Sequence, residues 1–275
     1  MRTEDIAKLG QLYLQEGRWG QRVLLPEEWV RMATSKQVSN GSDPNNDWNQ
    51  GYGFQFWRCR HDAFRGDGAF GQYCVVIPNL DVVIAITSGV SDMQATLNLI
   101  WDHFLPACLP IQRSKATDAD VELKQRLAEL KVSGVQGEAF SDAWPSKERL
   151  YRLEENPDGF DYLRLSQDLN SRSLMLSLEG GVAEVQLCAG HQAWKRGTSD
   201  VPIGRLAHFQ REPIAGMYAW ESVHTLHVKV CATQTPFHLM ATLHLNGDTL
   251  QMQWGSNVAF GERQKAPLRG RAVQP

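Results

Sequence analysis

The sequence lacks a charge excess of either sign: 28 Lys and Arg stand against 31 Asp and Glu over 275 residues, a formal net charge of -3. Such a chain sets up no broad cationic field, so no nucleic-acid partner is expected. Cysteine is scarce and unpaired in pattern. Cys59, Cys74, Cys108, Cys188 and Cys231 are odd in number and widely spaced, with no C-x-x-C among them. This fits buried reduced thiols better than a disulfide framework or a zinc site. Long apolar runs are missing too. None reaches the roughly 18 residues that mark a membrane span, and Met1-Arg2-Thr3-Glu4-Asp5 is charged where a signal peptide would carry about 7 to 15 apolar residues. As written, the chain is expected in the cytoplasm, without membrane contact.

What is present reads as a globular chain, with 42% hydrophobic residues and a length that suggests two domains at about 150 residues each. Ile6, Leu9, Leu12 and Tyr13 recur at helical spacing after Thr3, a candidate N-cap, and Pro26 is placed to open a second helix through Trp29 and Met32. The polar stretch 39–49 is a loop. Strand-like runs follow at Tyr52–Cys59, Gln72–Ile77 and Val82–Thr87, with Pro78-Asn79-Leu80-Asp81 turning between the last two. Ser91 with Gln94 suggests a capping box for a helix carrying Leu97, Ile100, Trp101, Phe104 and Leu105, ended by Pro106. A charged helix over 118–131 reads as a connector. Beyond it strands dominate, and Asn246-Gly247-Asp248 between two strand patterns is a hairpin signal.

The stretch Gln50-Gly51-Tyr52-Gly53-Phe54-Gln55-Phe56-Trp57, then Gly66-Asp67-Gly68-Ala69-Phe70-Gly71-Gln72-Tyr73 through Pro78, then Asp81 through Gly89, closely resembles the last three strands of the β-lactamase and penicillin-binding-protein-like serine hydrolases. The similarity, closest to the class C β-lactamase-related members, covers about residues 1–110. The segment from Arg113 onward, with Ala219-Trp220-Glu221 and Asn257 to Gly261, looks like the β-domain that some members append. The resemblance implies an α+β fold. A partial antiparallel sheet with packed helices, the C-terminal part of the hydrolase domain, spans 1–112; a helical linker spans 113–134; a small antiparallel β-sandwich or barrel spans 135–275.

The family's nucleophile motif S-x-x-K is absent, as is a Y-x-N triplet at Tyr13, Tyr52, Tyr73, Tyr151, Tyr162 or Tyr218. No catalytic residue is therefore assigned, and the expectation is a truncated serine-hydrolase relative without acyl-transfer chemistry of its own, or a fragment of a longer active one. The third family element, a K-T-G or H-x-G type triplet, aligns with Gly66-Asp67-Gly68 or, one residue earlier, with Arg65-Gly66-Asp67. Arg65, Gly66, Asp67 and Gly68 are the candidate substrate-binding residues, with the register open and an ordinary hairpin turn as the plain alternative.

No cofactor and no metal are expected. His224 and His227 point to opposite faces of a strand, and His238 and His244 would lie about 20 Å apart. A second class of reading is a binding module in which Trp144, Trp194, Trp220 and Trp254 line a small-molecule or partner site in the β-domain. Finally, three strands without the family's first two would leave a bare sheet edge, so that edge is expected to be capped, by the second domain or by a second copy in a homo-oligomer.

Overall fold

The computed structural model describes residues 2–108, 118–144, 148–181, 184–200 and 211–273. The chain divides into two compact units, Met1–Ala119 and Asp120–Pro275; residues 113–117, the start of the expected linker, lie outside the described residues.

The first unit is built on a four-stranded antiparallel sheet in the order β3-β4-β5-β6: β3 (Trp57–Arg58), β4 (Phe64–Gly68), β5 (Gln72–Ile77) and β6 (Val82–Ile86). The run expected as a strand from Tyr52 to Cys59 is mostly a turn. Gly53 N–H donates to Phe56 O at 2.8 Å and Gln55 takes φ 65°, so only Trp57 and Arg58 join the ladder. One face carries α1 (Thr3–Leu14), where the Cys74 thiol donates to Ile6 O at 3.3 Å. On the other, Tyr73, Val75 and Ile77 pack with Leu97, Ile100 and Trp101. These last three come from a helix that opens as α3 (Met93–Leu99), widens to a π-turn over Ile100–Phe104 and ends at Leu105–Ala107. Its N-cap is Asp92, whose carboxylate accepts from Ala95 N–H at 2.9 Å, one residue past the expected cap. A short hairpin, β1 (Arg18–Trp19) and β2 (Arg22–Val23), and α2 (Glu27–Thr34) complete the unit.

The second unit is an up-and-down barrel. Its strands are β7 (Glu148–Leu153), β8 (Phe160–Asp168), β9 (Ser173–Gly180), β10 (Val185–His191), β11 (Lys195–Ser199), β12 (Glu212–Ser222), β13 (Thr225–Ala232), β14 (His238–Asn246), β15 (Thr249–Ser256) and β16 (Leu268–Ala272). Each pairs with its sequence neighbour except at β10 and β11, and β16 returns to β7. Closure comes from a parallel pairing of β10 with β12, at Gly190 with Met217 and His191 with Tyr218. That parallel contact follows from parity. β11 pairs only with the first half of β12, so at the seam β10 meets a strand two steps on, which runs the same way. Gly216 permits the close approach, since a Cβ there would stand 2.0 Å from Cys188 O.

Period-2 alternation sends Leu226, Val228 and Val230 inward with Leu163, Leu165, Leu176 and Leu178, while Thr225, His227, Lys229 and Cys231 face out. One end of the barrel is crossed by a strap, residues 137–144. Glu138 pairs with Trp220 (N–H to O 2.8 and 2.9 Å), Gln167 Nε2 and Tyr218 OH donate to Ala139 O, and Ser141 Oγ donates to Val223 O at 2.6 Å. Trp144, at the strap's end, belongs to the interior cluster.

The expected α+β class is corrected by this topology. The chain is predominantly β: the strands of the closed barrel alone span more residues than all the described helices, and a partial sheet with packed helices is the smaller part of the fold. The cause lies in pairings between residues far apart in sequence, β16 with β7 and β10 with β12, which local patterns do not specify.

Candidate ligand-binding site

The residues singled out as candidate substrate contacts lie on β4. Alternation puts Arg65 and Asp67 on one face and Gly66 and Gly68 on the other. The first face is the internal one. Arg65 is fully buried: Nε and Nη2 each lie 2.9 Å from Asp67 Oδ2, Nη1 donates to Asp47 O at 3.0 Å and to Cys59 Sγ at 3.1 Å, and the guanidinium sits 4.5 Å from the centre of the Trp48 ring. Burial pushes the Asp67 carboxyl up, opposed by Arg65, and pushes the Cys59 thiol up to about 11. Below Arg65, buried Asp47 accepts from Arg60 N (3.0 Å), Gln94 Nε2 (2.7 Å) and Trp101 Nε1 (2.9 Å). Burial acts to raise its pKa, but these bonds outweigh it and hold the carboxyl below the ordinary carboxylate range. The structure thus gives Arg65 an internal carboxylate as its partner.

The histidines are likewise engaged with neighbours. His224 Nδ1 lies 3.0 Å from Leu245 O, His227 lies between Thr242 Oγ1 and Glu221 Oε2, and His244 meets Thr225 Oγ1. Among the described residues no group of three metal-ligating side chains occurs. His61 and Asp62 sit in the turn before β4 with φ of 60° and 56°, the His61 ring against Trp101.

Two features of the barrel remain. On its outer wall, where β11 runs beside β12, a groove of about 400 Å³ is lined by Trp194 and Arg196 from β11 and the turn before it, Ala215 from β12, Cys231 from β13, and Pro236, Phe237 and His238 from the turn into β14. Cys231 pairs in register with both Ala215 and His238, which places thiol and imidazole side by side on the outward face. Burial raises the Cys231 thiol and lowers the His238 imidazole, with Lys229 opposing the first shift and adding to the second, so both groups are neutral at pH 7. A neutral thiol beside a neutral imidazole is a polar lining; an activated nucleophile would need the thiolate. The cation of the groove is exposed Arg196.

Inside the barrel, three of the four tryptophans named from the sequence, Trp144, Trp220 and Trp254, are buried with indole N–H groups that meet no acceptor, while Trp194 alone reaches the groove. A buried unsatisfied donor costs about 1–3 kcal/mol. Sequence reasoning missed Arg196 and the Cys231–His238 neighbours, because their juxtaposition depends on strand register; the Thr233–Phe237 turn between two alternating runs is the one local signal that fixes it.

No family model matches the chain, and no curated protein matches it. Among solved structures, it is similar to a secretary abundant heat soluble (SAHS) protein from Ramazzottius varieornatus, at 10% identity over 50% of this chain and 99% of that one, with a TM-score of 0.32. A likeness at that score carries no argument. The description of the whole chain as hydrolase-like and β-lactamase-related is corrected by the fold itself: a closed up-and-down barrel forms the larger unit, and no comparison points to a serine hydrolase. No described helix is long and apolar enough to cross a membrane.

Proposed function

We propose that the barrel unit is a non-catalytic small-molecule-binding module whose outer groove receives an apolar or aromatic molecule bearing an anionic group. The observation that carries this is the groove itself. Its volume of about 400 Å³ lies within the ordinary range of ligand pockets, about 300–1,000 Å³. Trp194 and Phe237 offer ring surface, and Arg196 supplies a cation at the rim for an anion's charge-assisted hydrogen bonds. In a cytoplasmic setting, Cys231 would remain a thiol and add to the apolar lining. A fluorescent aromatic sulfonate, anilinonaphthalene sulfonate, serves as probe. A charged hydrogen bond contributes about 1.5–3 kcal/mol, so Arg196→Ala is expected to weaken binding about tenfold or more, with Trp194→Ala losing a similar factor through ring contact. Unchanged affinity in both variants would remove the groove from consideration.

A second reading concerns the first unit. Among the described residues β6 pairs on one side only, with β5, and Val82-Val83-Ile84-Ala85-Ile86 carries no charge or proline to discourage pairing on the other. A homo-oligomer joined along this edge, two copies of β6 antiparallel about Ile84, would satisfy those backbone groups.

A further inference from the structure

Beneath the strap the barrel interior holds buried hydrogen-bonding side chains that meet no partner. Trp144 and Trp220, with ring centres 6.2 Å apart, each bury an indole N–H that meets no partner. Tyr151, its ring centre 6.3 Å from that of Trp144, buries a hydroxyl whose neighbour is the Arg149 guanidinium, though no hydrogen bond of ordinary geometry joins them. Arg149 lies on the same face of β7 as Tyr151, donates to Gly247 O at 2.8 Å and holds its guanidinium 5.3 Å from the centre of the Trp144 ring. Around them the cluster is hydrocarbon, Leu163, Leu165, Leu226 and Leu243 among others.

The balance of donors and acceptors decides what fits. Indole and guanidinium nitrogens only donate. A water molecule between two indoles would accept twice, yet its own hydrogens would have the Tyr151 oxygen as the one acceptor on these four side chains. A carboxylate oxygen accepts and has nothing to donate, and Arg149 supplies the counter-charge that a buried anion needs. An eight-stranded barrel is wide enough to be filled by side chains or to hold one small ligand, and this closed ring is wider by one strand, with the small side chains of Ala189, Ala232 and Ala241 among its interior residues.

From these observations we infer that the lumen beneath the strap is an internal binding site for an apolar carboxylic acid, with its carboxylate among Trp144, Trp220, Tyr151 and Arg149 and its hydrocarbon tail among the leucines. The site is separate from the outer groove, since none of Trp144, Trp220, Tyr151 and Arg149 lines that groove, and it stands or falls independently of it. Entry at this end requires the strap to lift, breaking the Glu138–Trp220 pairing and the bonds at Ala139 and Ser141.

The test uses the full chain with dodecanoate and 1-dodecanol as probes, by titration calorimetry and native mass spectrometry. Dodecanoate is expected to bind one to one and at least tenfold more tightly than the alcohol. Trp144→Phe and Trp220→Phe, which keep a ring and delete the donor, should each weaken it about tenfold, the equivalent of one hydrogen bond. Arg149→Gln should erase most of the preference for the acid over the alcohol, and covers the case in which a tryptophan variant fails to fold. Trp194→Ala and Arg196→Ala should leave dodecanoate binding unchanged while reducing binding of the aromatic sulfonate. The inference is overturned by any of three results: no dodecanoate binding to the wild-type chain, binding lost only in the groove variants, or crystals soaked in dodecanoate that show ordered water alone between the two indoles.

Discussion

Replacing Arg65 with Met keeps an aliphatic stem of similar length and removes the guanidinium. Three losses follow: Asp67, whose side chain is 8% exposed, keeps a buried charge without its partner, and Asp47 O and Cys59 Sγ lose their donor. Breaking a buried ion pair from one side costs about 3–5 kcal/mol, because the remaining charge stays desolvated. For a unit of the size of Met1–Ala119, each kcal/mol moves the melting temperature by about 3–6 °C, so its transition should fall by about 10–25 °C. Arg65→Met with Asp67→Leu removes both charges and should recover most of that loss, since apolar replacement of a whole buried pair is often near neutral. Differential scanning calorimetry of the full chain is the assay, with the barrel transition as internal reference. A single variant that melts within about 2 °C of wild type, or a double variant less stable than the single, would refute the internal-pair account. Were Arg65 instead reserved for a ligand's carboxylate, the single substitution would change binding and leave the transition in place.

The two carboxylates near Arg65 should respond to pH with opposite signs. Asp47, held below the ordinary carboxylate range, contributes stability that is present above its unfolded pKa and is lost as pH falls through its folded value; Asp67, raised by burial, opposes folding when ionised and is relieved as pH falls through its own. The melting temperature of Asp67→Asn relative to wild type should therefore be higher at pH 7 than towards pH 4, on top of the pH-independent cost of leaving Arg65 without its carboxylate, while Asp47→Asn flattens the decline at the acid end; a pH-independent difference for either variant contradicts the assignment. For the β6 edge, light scattering coupled to size exclusion is expected to give a dimer that Ile84→Lys converts to monomer, and a monomeric wild-type chain would dismiss edge pairing.

Several elements were legible in the residues because their causes are local. The apolar runs at Gln72–Ile77 and Val82–Ile86 are β5 and β6 of the first unit, and Asn246-Gly247 turns the β14–β15 hairpin with Gly247 at φ 55°. β4 is not among them: the residues suggest a family triplet or a hairpin turn at Arg65 to Gly68, whereas the structure makes Phe64–Gly68 a strand with Arg65 and Asp67 on one face. Which face is a tertiary fact: it depends on Trp48, in a loop, and on Tyr73, in the next strand, both of which present rings to the guanidinium. The same limit applied to the tryptophans. Trp220 and Trp254 follow the inward alternation of their strands, but that Trp144 enters the barrel while Trp194 stays in the outer groove depends on the strap and on the course of β11.

The position of the groove follows from how the barrel closes. A meander of ten strands with β11 fully inserted would be antiparallel throughout and present a continuous outer wall. Here β11 reaches only from Lys195 to Ser199, against Glu212 to Gly216, and β10 takes over the rest of the β12 edge with its parallel contacts at Met217 and Tyr218. Two strands thus compete for one edge, and β11 lies against β10, with the Cys188 thiol 3.6 Å from Arg196 O. Trp194 and Arg196, at the start of β11, are thereby brought into the concavity with Ala215 and Cys231. The sequence feature behind this is Gly216: without a Cβ it lets β10 approach to where Cys188 O would collide with any larger residue. The closure that seals the lumen and the concavity that opens the groove therefore share one cause, and Gly216→Val should disturb both together.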